Sequence, residues 1–443
     1  MSALSNILGK LFTVRSEEYK AFGWASGLMF LILSSQILFA NFADTAFIKR
    51  FGVEYLPEMF VIDAVFVFFA MDLVRALVTK YSPMTLLTRI LVIFATIEVL
   101  CRFLILLDFS LLYPLMYLLR LQIDGVILII FWNICNDLFD TRQAKRIFPL
   151  ITAGGILGRV LGSFSTDLLT RTTNIDNLLL VSAGLLFLAA MASQKVGRLF
   201  PPPIVAPKAR VTEKKGWSSP IAGVKEMSAL AKGSLLFMLL AAIRFLPNIV
   251  GPMFDYQFSV ILAHTFPSEE ALAQFYGSFR GVLNVITFVV LMFVGKVHTR
   301  VGIPNALLFR PGNYFLVFSL LLFRFDIVVG VYGRISIGVL TTTLHNPANN
   351  IMVNLFPDEF RAKIRPFLQM VSRAGSLLGS LILLGLKAFI HTSYFSIFGL
   401  IFVAPWILLT FRLKRNYSHF LLETLLDKQV DLRELEDVDL TVL

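Results

Sequence analysis

Long apolar runs recur along the whole sequence and are separated by short charged or proline-bearing loops. Residues 22–42, 111–132 and 235–253 are examples, and each approaches the ~20 residues that an α-helix needs to cross a bilayer. Hydrophobic residues make up 57% of the chain and charged residues 16%, which excludes an ordinary soluble protein. We therefore predict an all-α membrane protein with about 12 transmembrane helices.

Lysine and arginine residues lie mainly in the loops between the apolar runs, so the positive-inside rule accounts for the net charge of +11 better than nucleic-acid binding does. Loops rich in these residues alternate with poorer ones, with Lys49 and Arg50 as an exception. This alternation predicts that both termini are cytoplasmic. The expected partners include membrane lipids and no nucleic acid. No small-residue cleavage site closes the first apolar run, so a cleaved signal peptide is not expected.

A charged turn between two apolar runs occurs twice, 217 residues apart, at 131–150 and near the end of the chain. The offset pairs Asn133 with Asn350, Pro149 with Pro366, Gly158 with Gly375 and Gly162 with Gly379. Two parallel repeats of six spans each describe the major facilitator type of secondary transporter. The predicted organisation is an N-terminal half at 1–199, a cytoplasmic linker at 200–229, a C-terminal half at 230–412 and a cytoplasmic tail at 413–443.

The two charged turns are predicted to lie in cytoplasmic loops, before spans 5 and 11. Their charged side chains either follow the positive-inside rule and pair with neighbouring acids, or form a gate whose ion pairs break during transport. The gate hypothesis involves Asp140, Arg142, Lys145, Arg146, Asp358, Arg361 and Lys363.

Glycines recur every four residues after each turn, at Gly154, Gly158 and Gly162 and again at Gly375 and Gly379. This spacing within an apolar helix predicts the close approach of a second helix. It does not predict a phosphate-binding loop, because no strand precedes it, and the sequence has neither a GxxxxGK[ST] nor an HExxH motif. We expect no enzyme activity, no cofactor and no metal.

Three stretches together carry a family resemblance: FWNICNDLFDTRQAKRIFPL, NFADTAFIKRFGVEYLP and PNIVGPMFDYQFSVILAHTFPSEEALAQFYGSF. They resemble the nucleotide (ATP/ADP) translocases of intracellular bacteria and plastids and their free-living bacterial relatives. The resemblance implies a multi-pass transporter of the bacterial inner membrane. It also implies a role for Asp255, which occupies the place of an acidic residue in span 7 of the family. Ala40, Ala43 and Ser259 stand where the family carries basic residues.

Ionisable residues inside predicted spans are functional candidates, because burying an unpaired charge in a bilayer is costly. An offset of 211 residues carries Asp44 onto Asp255, so we expect these two acids at comparable depths in spans 1 and 7. Two pairs four residues apart, Glu98 with Arg102 and Arg120 with Asp124, are expected to neutralise themselves. Arg310 and Arg324 lie near predicted span ends and are expected to be interfacial anchors.

Five arginines have no partner on their own helix and outnumber the unpaired acids: Arg159, Arg244, Arg280, Arg334 and Arg373. An excess of positive charge in a central cavity favours an anionic substrate. The alternative is that these arginines pair across helices with Asp44, Asp63, Asp167 or Asp255 and only hold the fold together. His345 and Asn349 form a polar patch on span 10 that either recognises the substrate or makes interhelical hydrogen bonds.

These features predict a secondary active transporter that moves an anionic, phosphorylated solute, with a nucleotide among the options, as an antiporter or with proton coupling. One alternative is a translocator of anionic lipids or amphiphiles. Another is a membrane scaffold or sensor that transports nothing. Some bacterial relatives continue into soluble domains, and this chain ends about where such a domain would begin, so we expect a soluble domain or partner at the C-terminal tail.

Overall fold

Thirteen α-helices account for most of the described residues of the computed structural model, which are 15–199, 234–356 and 358–427. The predicted linker at 200–229 and the last part of the tail lie outside these residues. The helices are α1 Tyr19–Ala46, α2 Leu56–Lys80, α3 Pro83–Leu104, α4 Leu112–Leu138, α5 Thr141–Thr172, α6 Leu178–Leu199, α7 Leu235–Thr265, α8 Glu269–Val301, α9 Ile303–Phe323, α10 Ile327–Leu340, α11 Asn346–Val353, α12 Asp358–Leu386 and α13 Phe395–Asp427.

Local sequence signals explain where several helices begin. Ser82 caps α3 by accepting a hydrogen bond from the backbone N–H of Thr85, and Pro83 occupies the first turn, where its missing N–H costs nothing. Asp140 caps α5 by accepting from the N–H groups of Arg142 and Gln143, each at 2.8 Å. The Gln143 side chain accepts from the N–H of Asp140 in return, which completes a capping box.

Ten helical segments of the described residues are long and apolar enough to cross a membrane. One of them, Ile327–Val353, consists of α10, a π-helical turn at Thr341–His345 and α11. Helices α1 and α2 are 28 and 25 residues long, which also suffices to cross a bilayer, although they are not among the ten. No strand occurs in the described parts of the chain. The predicted all-α membrane fold of the major facilitator type is confirmed.

The described residues form two compact units. Unit 1 contains 15–199 together with 256–290, and unit 2 contains 234–255 together with 291–427. The boundaries therefore fall inside α7 and α8. Division into halves at 1–199 and 230–412 rests on the sequence repeat and stays a prediction.

Helix α1 lies in the core of unit 1, packed against α5 and α6. Gly158 and Gly162 of α5 allow this, because a Cβ atom on either would overlap the backbone of α1 at Phe30 or Ser34. The Ser34 hydroxyl donates to the Gly158 carbonyl at 2.9 Å. The close approach predicted from the glycine spacing is confirmed at these two positions.

In unit 2, α12 and α7 are in close contact through glycines in the same way. A Cβ on Gly375 would overlap the Phe245 carbonyl, and one on Gly379 would overlap the backbone of Ile249. Phe30 and Phe245 therefore take equivalent places, as do Ser34 and Ile249, which gives an offset of 215 residues between α1 and α7.

This offset corrects the expected equivalence of Asp44 and Asp255, which rested on an offset of 211. The glycine contacts instead match Asp255 with Ala40 and Asp44 with Ser259. The two registers differ by four residues, or about one helical turn. The two acids therefore occupy non-equivalent places in the two repeats.

Candidate functional site

Asp44 is the centre of an ion-pair network in unit 1. Its Oδ2 atom accepts a hydrogen bond from Arg280 of α8 and lies 3.1 Å from Nη2 of Arg120 in α4. Arg280 also donates to Asn41 Oδ1 at 2.7 Å, and Asn41 donates to the Thr166 hydroxyl at 2.7 Å. Three helices that are far apart in the sequence, α1, α4 and α8, therefore meet at one carboxylate. Two of the predicted residues, Asp44 and Arg280, are brought together.

The expected self-pairing of Arg120 with Asp124 is wrong. Arg120 has its only ion pair within the described residues with Asp44, on another helix. Asp124 is partly buried and interacts electrostatically with Arg159 more strongly than with Arg120. Arg159 forms no ion pair within 4.0 Å in the described chain. The network as a whole has three guanidinium groups and two carboxylates.

Two buried polar atoms of the network remain free for further hydrogen bonds. Asp44 Oδ1 and Arg120 Nε have no hydrogen-bond partner in the described residues. The Arg280 guanidinium lies 4.3 Å from the centre of the Tyr276 ring, which holds it in place by a cation–π contact. The site therefore has a fixed cation together with unused donors and acceptors.

A second cluster in unit 1 surrounds Arg50, which follows α1 in a π-helical turn. Arg50 binds Asp176 at 2.6 Å and Glu269 at 2.9 Å, so it connects the turn that precedes α6 with the first residue of α8. The neighbouring Lys49 donates to the backbone carbonyl of Ala263 at 2.9 Å and to that of Phe266. The sequence identified Lys49 and Arg50 only as an exception to the loop charges, because their partners lie far along the chain.

Unit 2 contains a cluster of aromatic and cationic side chains around Arg310. Its guanidinium lies 5.8 Å from the Tyr314 ring centre and 5.6 Å from that of Trp406. His345 meets Trp406 edge-on at 6.3 Å between ring centres. Arg244 is close enough to repel Arg310 electrostatically. Arg310 therefore packs against two aromatic rings, and its expected role as an interfacial anchor stays a prediction.

Asp255 accepts a hydrogen bond from Arg334 in unit 2, and both side chains are partly exposed. Pairing across helices, one of the two alternatives from the sequence, therefore holds for Arg334 and for Arg280. Asp63 and Asp167 have other partners: Asp63 accepts from Gln122, and Asp167 pairs with Arg171 four residues away.

The remaining predicted substrate residues differ in environment. Arg373 is exposed and forms no ion pair within the described residues. His345 and Asn349 are buried one turn apart, and the Asn349 amide donates to the His345 carbonyl at 3.0 Å. Glu98 and Arg102 do not pair as expected: Arg102 donates to the Asn177 side chain at 3.2 Å, and the Glu98 carboxylate lies beside the Ser182 hydroxyl.

The gate residues can be judged only in part, because side chains are described for Asp140, Arg142 and Arg146 but not for Lys145, Asp358, Arg361 or Lys363. Asp140 caps α5, and Arg142 is exposed. Arg146 pairs with Glu18 at 2.9 Å instead of with an acid in its own loop. Burial raises the pKa of Glu18, but the Arg15 N–H and the Arg146 guanidinium outweigh this and hold the pKa below its usual value.

No group of three or more histidine, cysteine or acidic residues suited to a metal ion occurs in the described chain. Cys101 and Cys135 are both buried and unpaired with each other.

Comparisons with known proteins agree with this architecture. Residues 109–348 match the sequence profile described as TLC ATP/ADP transporter. Among solved structures, the nucleoside transporter NupG is similar with a TM-score of 0.60 and 14% identity, covering 89% of this chain and 99% of NupG. A D-xylose-proton symporter gives a TM-score of 0.61 and 12% identity over 88% of this chain and 97% of its own. The POT family transporter PepTSo gives 0.58 and 13% over 89% and 98%. No curated protein matches the sequence.

Proposed function

This chain belongs to the TLC ATP/ADP transporter family, and from that premise we propose that it moves a small anionic solute across the bacterial inner membrane by alternating access. It is a multi-pass membrane transporter and not an enzyme. The finer proposal is that the solute carries a phosphate group, with a nucleotide among the options, and that both termini face the cytoplasm. The loop charges support this orientation.

The observation that carries the proposal is the ion-pair network at Asp44. Its three guanidinium groups exceed its two carboxylates, and an uncompensated cation inside a membrane protein favours an anionic ligand. Asp44 Oδ1 and Arg120 Nε are still free for hydrogen bonds to a solute. An ion pair with only a structural role would need neither a third guanidinium group nor hydrogen-bonding atoms that have no partner.

The same network supports alternating access. Arg280 belongs to α8 in the second sequence repeat, whereas Asp44 belongs to α1 in the first. In parallel-repeat transporters the repeats rock against each other around a central site. The Asp44–Arg280 contact would therefore have to break and re-form in each cycle. An anion that binds Arg280 competes with Asp44 and lowers the free energy needed to separate the pair.

Uptake into proteoliposomes tests this proposal. Radiolabelled ADP, glucose 6-phosphate and inorganic phosphate are compared with neutral adenosine and glucose, and lysophosphatidate tests the lipid alternative. We expect uptake of at least one soluble anion, no uptake of its neutral counterpart, and a loss of about tenfold or more in Arg280→Gln. Arg171→Gln is the matched control, since Arg171 forms an exposed ion pair within one helix. Equal uptake of the neutral and anionic solutes would contradict the proposal.

A further inference from the structure

We propose that unit 2 contains an oxyanion-binding site formed by Arg244 and Arg310 together with Trp406, His345 and Asn349. Its ligand is an oxyanion that also bears a hydroxyl, as hydrogen phosphate does and as phosphomonoesters do in their monoanionic form. The site deepens the proposed function, on which it rests for its role in transport.

The first support is uncompensated charge. Arg244 and Arg310 interact with each other as like charges, and neither forms an ion pair within the described residues. The nearby carboxylate of Asp255 is already bound to Arg334. Two close guanidinium groups in a membrane protein are costly unless an anion accompanies them. An oxyanion between them would remove the repulsion and supply acceptors to both.

The second support is orientation. Tyr314 and Trp406 lie 5.8 and 5.6 Å from the Arg310 guanidinium, and their own ring centres are 5.6 Å apart. These contacts limit the rotation of a long side chain, so less entropy is lost when Arg310 binds a ligand. Both arginines are partly exposed although their Nε atoms are buried. Part of each side chain therefore remains accessible.

The third support is a set of buried polar atoms that lack hydrogen-bond partners in the described chain. They are Nε1 of Trp406, Nδ1 of His345 and Oδ1 of Asn349, on side chains that are 0%, 1% and 1% exposed. Most buried polar atoms in proteins are hydrogen-bonded, because leaving one unpaired costs about 1–3 kcal/mol. Three such atoms lie on residues that pack together or follow each other by one turn, so together they offer hydrogen-bonding positions to a polar ligand.

The chemistry of these atoms defines the class of ligand. The indole N–H and the guanidinium groups donate hydrogen bonds, whereas the Asn349 oxygen accepts. A halide offers no donor, and a fully ionised sulfate offers none either. Hydrogen phosphate carries acceptor oxygens and, near neutral pH, a P–OH donor, and phosphomonoesters carry the same donor in their monoanionic form, below their second pKa of about 6. They therefore match both kinds of unpartnered group.

The backbone around His345 has an unusual form that fits a binding site. Residues Thr341–His345 form a π-helical turn between α10 and α11. Such turns are rare in proteins and occur frequently at functional sites, since they shift side chains from their regular helical positions. Here the turn ends at His345 and precedes Asn349 by four residues, and both side chains carry an unpartnered atom.

Trp406 provides a direct measurement of binding. The chain has four tryptophans, and replacing Trp24, Trp132 and Trp217 with phenylalanine leaves Trp406 as the only indole. We expect inorganic phosphate to produce a saturable change in its fluorescence, and an equal concentration of chloride to produce none. Arg310→Gln and Arg244→Gln should each weaken the apparent affinity by about tenfold or more. Arg324→Gln is the control, because Arg324 lies in an exposed loop and pairs with Asp326.

Arg310→Lys keeps the positive charge, so it distinguishes a loss of binding from a loss of folding. It should bind phosphate more weakly than the wild type and more tightly than Arg310→Gln. Glycerol 3-phosphate and lysophosphatidate distinguish a soluble phosphomonoester from a lipid headgroup. A saturable response only to lysophosphatidate would assign the site to lipids. No saturable response of the wild type to any of the three phosphates, or a response unchanged in the Arg244→Gln/Arg310→Gln double variant, would overturn the site.

The site and the proposed function can fail separately. Fluorescence binding without uptake of any solute into proteoliposomes would leave the site standing and contradict the transport proposal. Anion uptake that is unchanged in the double variant would leave transport standing and overturn the role of the site. The fluorescence measurement needs no transport activity, so it decides between these cases.

Discussion

Arg334 of α10 donates a hydrogen bond to the carboxylate of Asp255 in α7, and the two side chains are 39% and 44% exposed. This pair is therefore more accessible than the better buried pair of Asp44 and Arg280. An accessible ion pair contributes little to stability, about 0–1 kcal/mol. A carboxylate held by such a weak pair can change partners during transport.

We predict that Asp255→Asn folds with a loss of less than about 1 kcal/mol in unfolding free energy, and that its uptake in proteoliposomes no longer depends on pH. Thermal unfolding and uptake at several pH values measure the two effects. Arg334→Gln is the matched variant, since it removes the same contact but keeps the carboxylate. Uptake that retains the wild-type pH dependence would exclude Asp255 from coupling, and a failure to fold would assign it a structural role.

The glycine contacts predict a large difference between similar substitutions. Gly158→Ala and Gly375→Ala place a Cβ against the carbonyls of Phe30 and Phe245, so each should lower the free energy of unfolding by about 1–3 kcal/mol. Gly184→Ala and Gly385→Ala meet no atom within 4 Å and should be neutral or slightly stabilising. Thermal unfolding of the four variants compares the pairs. Equal effects of the two pairs would show that the helices can move apart freely at Gly158 and Gly375.

Arg50 should be important for the stability of unit 1, because two partly buried acids depend on one cation. Removing it in Arg50→Gln leaves Asp176 and Glu269 facing each other, and should cost about 3 kcal/mol. Arg171→Gln, in which an exposed pair within one helix is lost, should cost less than about 1 kcal/mol. Similar melting temperatures for the two variants would contradict the assignment of Arg50 as a structural connection.

Glu98 is 1% exposed, its carboxylate lies beside the neutral Ser182 hydroxyl, and no cation lies within 4.0 Å in the described residues. A buried charge without an ionic partner is costly, so the neutral amide should be tolerated. We predict that Glu98→Gln leaves the unfolding free energy unchanged or raises it. Asp44→Asn, which removes a partner of two arginines, should lower it by about 3 kcal/mol. Strong destabilisation by Glu98→Gln would reveal an essential charge.

The predicted orientation can be measured by cysteine labelling. In a variant without Cys101 and Cys135, a cysteine at Arg415 should react with a membrane-impermeant reagent only from the cytoplasmic side. A cysteine at Ser110, in the loop between α3 and α4, should react only from the opposite side. Labelling of both positions from the same side would overturn the topology.

The sequence predicted the helices and their close contacts well because both depend on local patterns. Apolar length determines a span, and glycine spacing determines where two backbones can touch. The partner of Arg120 was not predictable in this way. Spacing of four residues identifies the neighbour on the same helix, Asp124, but does not reveal that α1 presents Asp44 to the same side chain.

The error in matching the two acids has a similar physical origin. Offsets of 211 and 215 differ by about one helical turn, so both place the same helix face towards the core. Only the glycine contacts with Phe30 and Phe245 distinguish the two registers. The importance of Arg310 was missed because its aromatic partner Trp406 lies on α13, far from it in sequence.

The backbone of the two repeats is alike where the glycines touch it, but their charges are not. The first repeat has the Asp44 carboxylate at the place where the second has Ser259. The second repeat has the Asp255 carboxylate at the place where the first has Ala40. A duplicated protein with identical copies would offer both ends of a solute the same chemistry. The copies in this chain are not equivalent at these places, so a polar solute that contacted both repeats would meet different chemistry at its two ends.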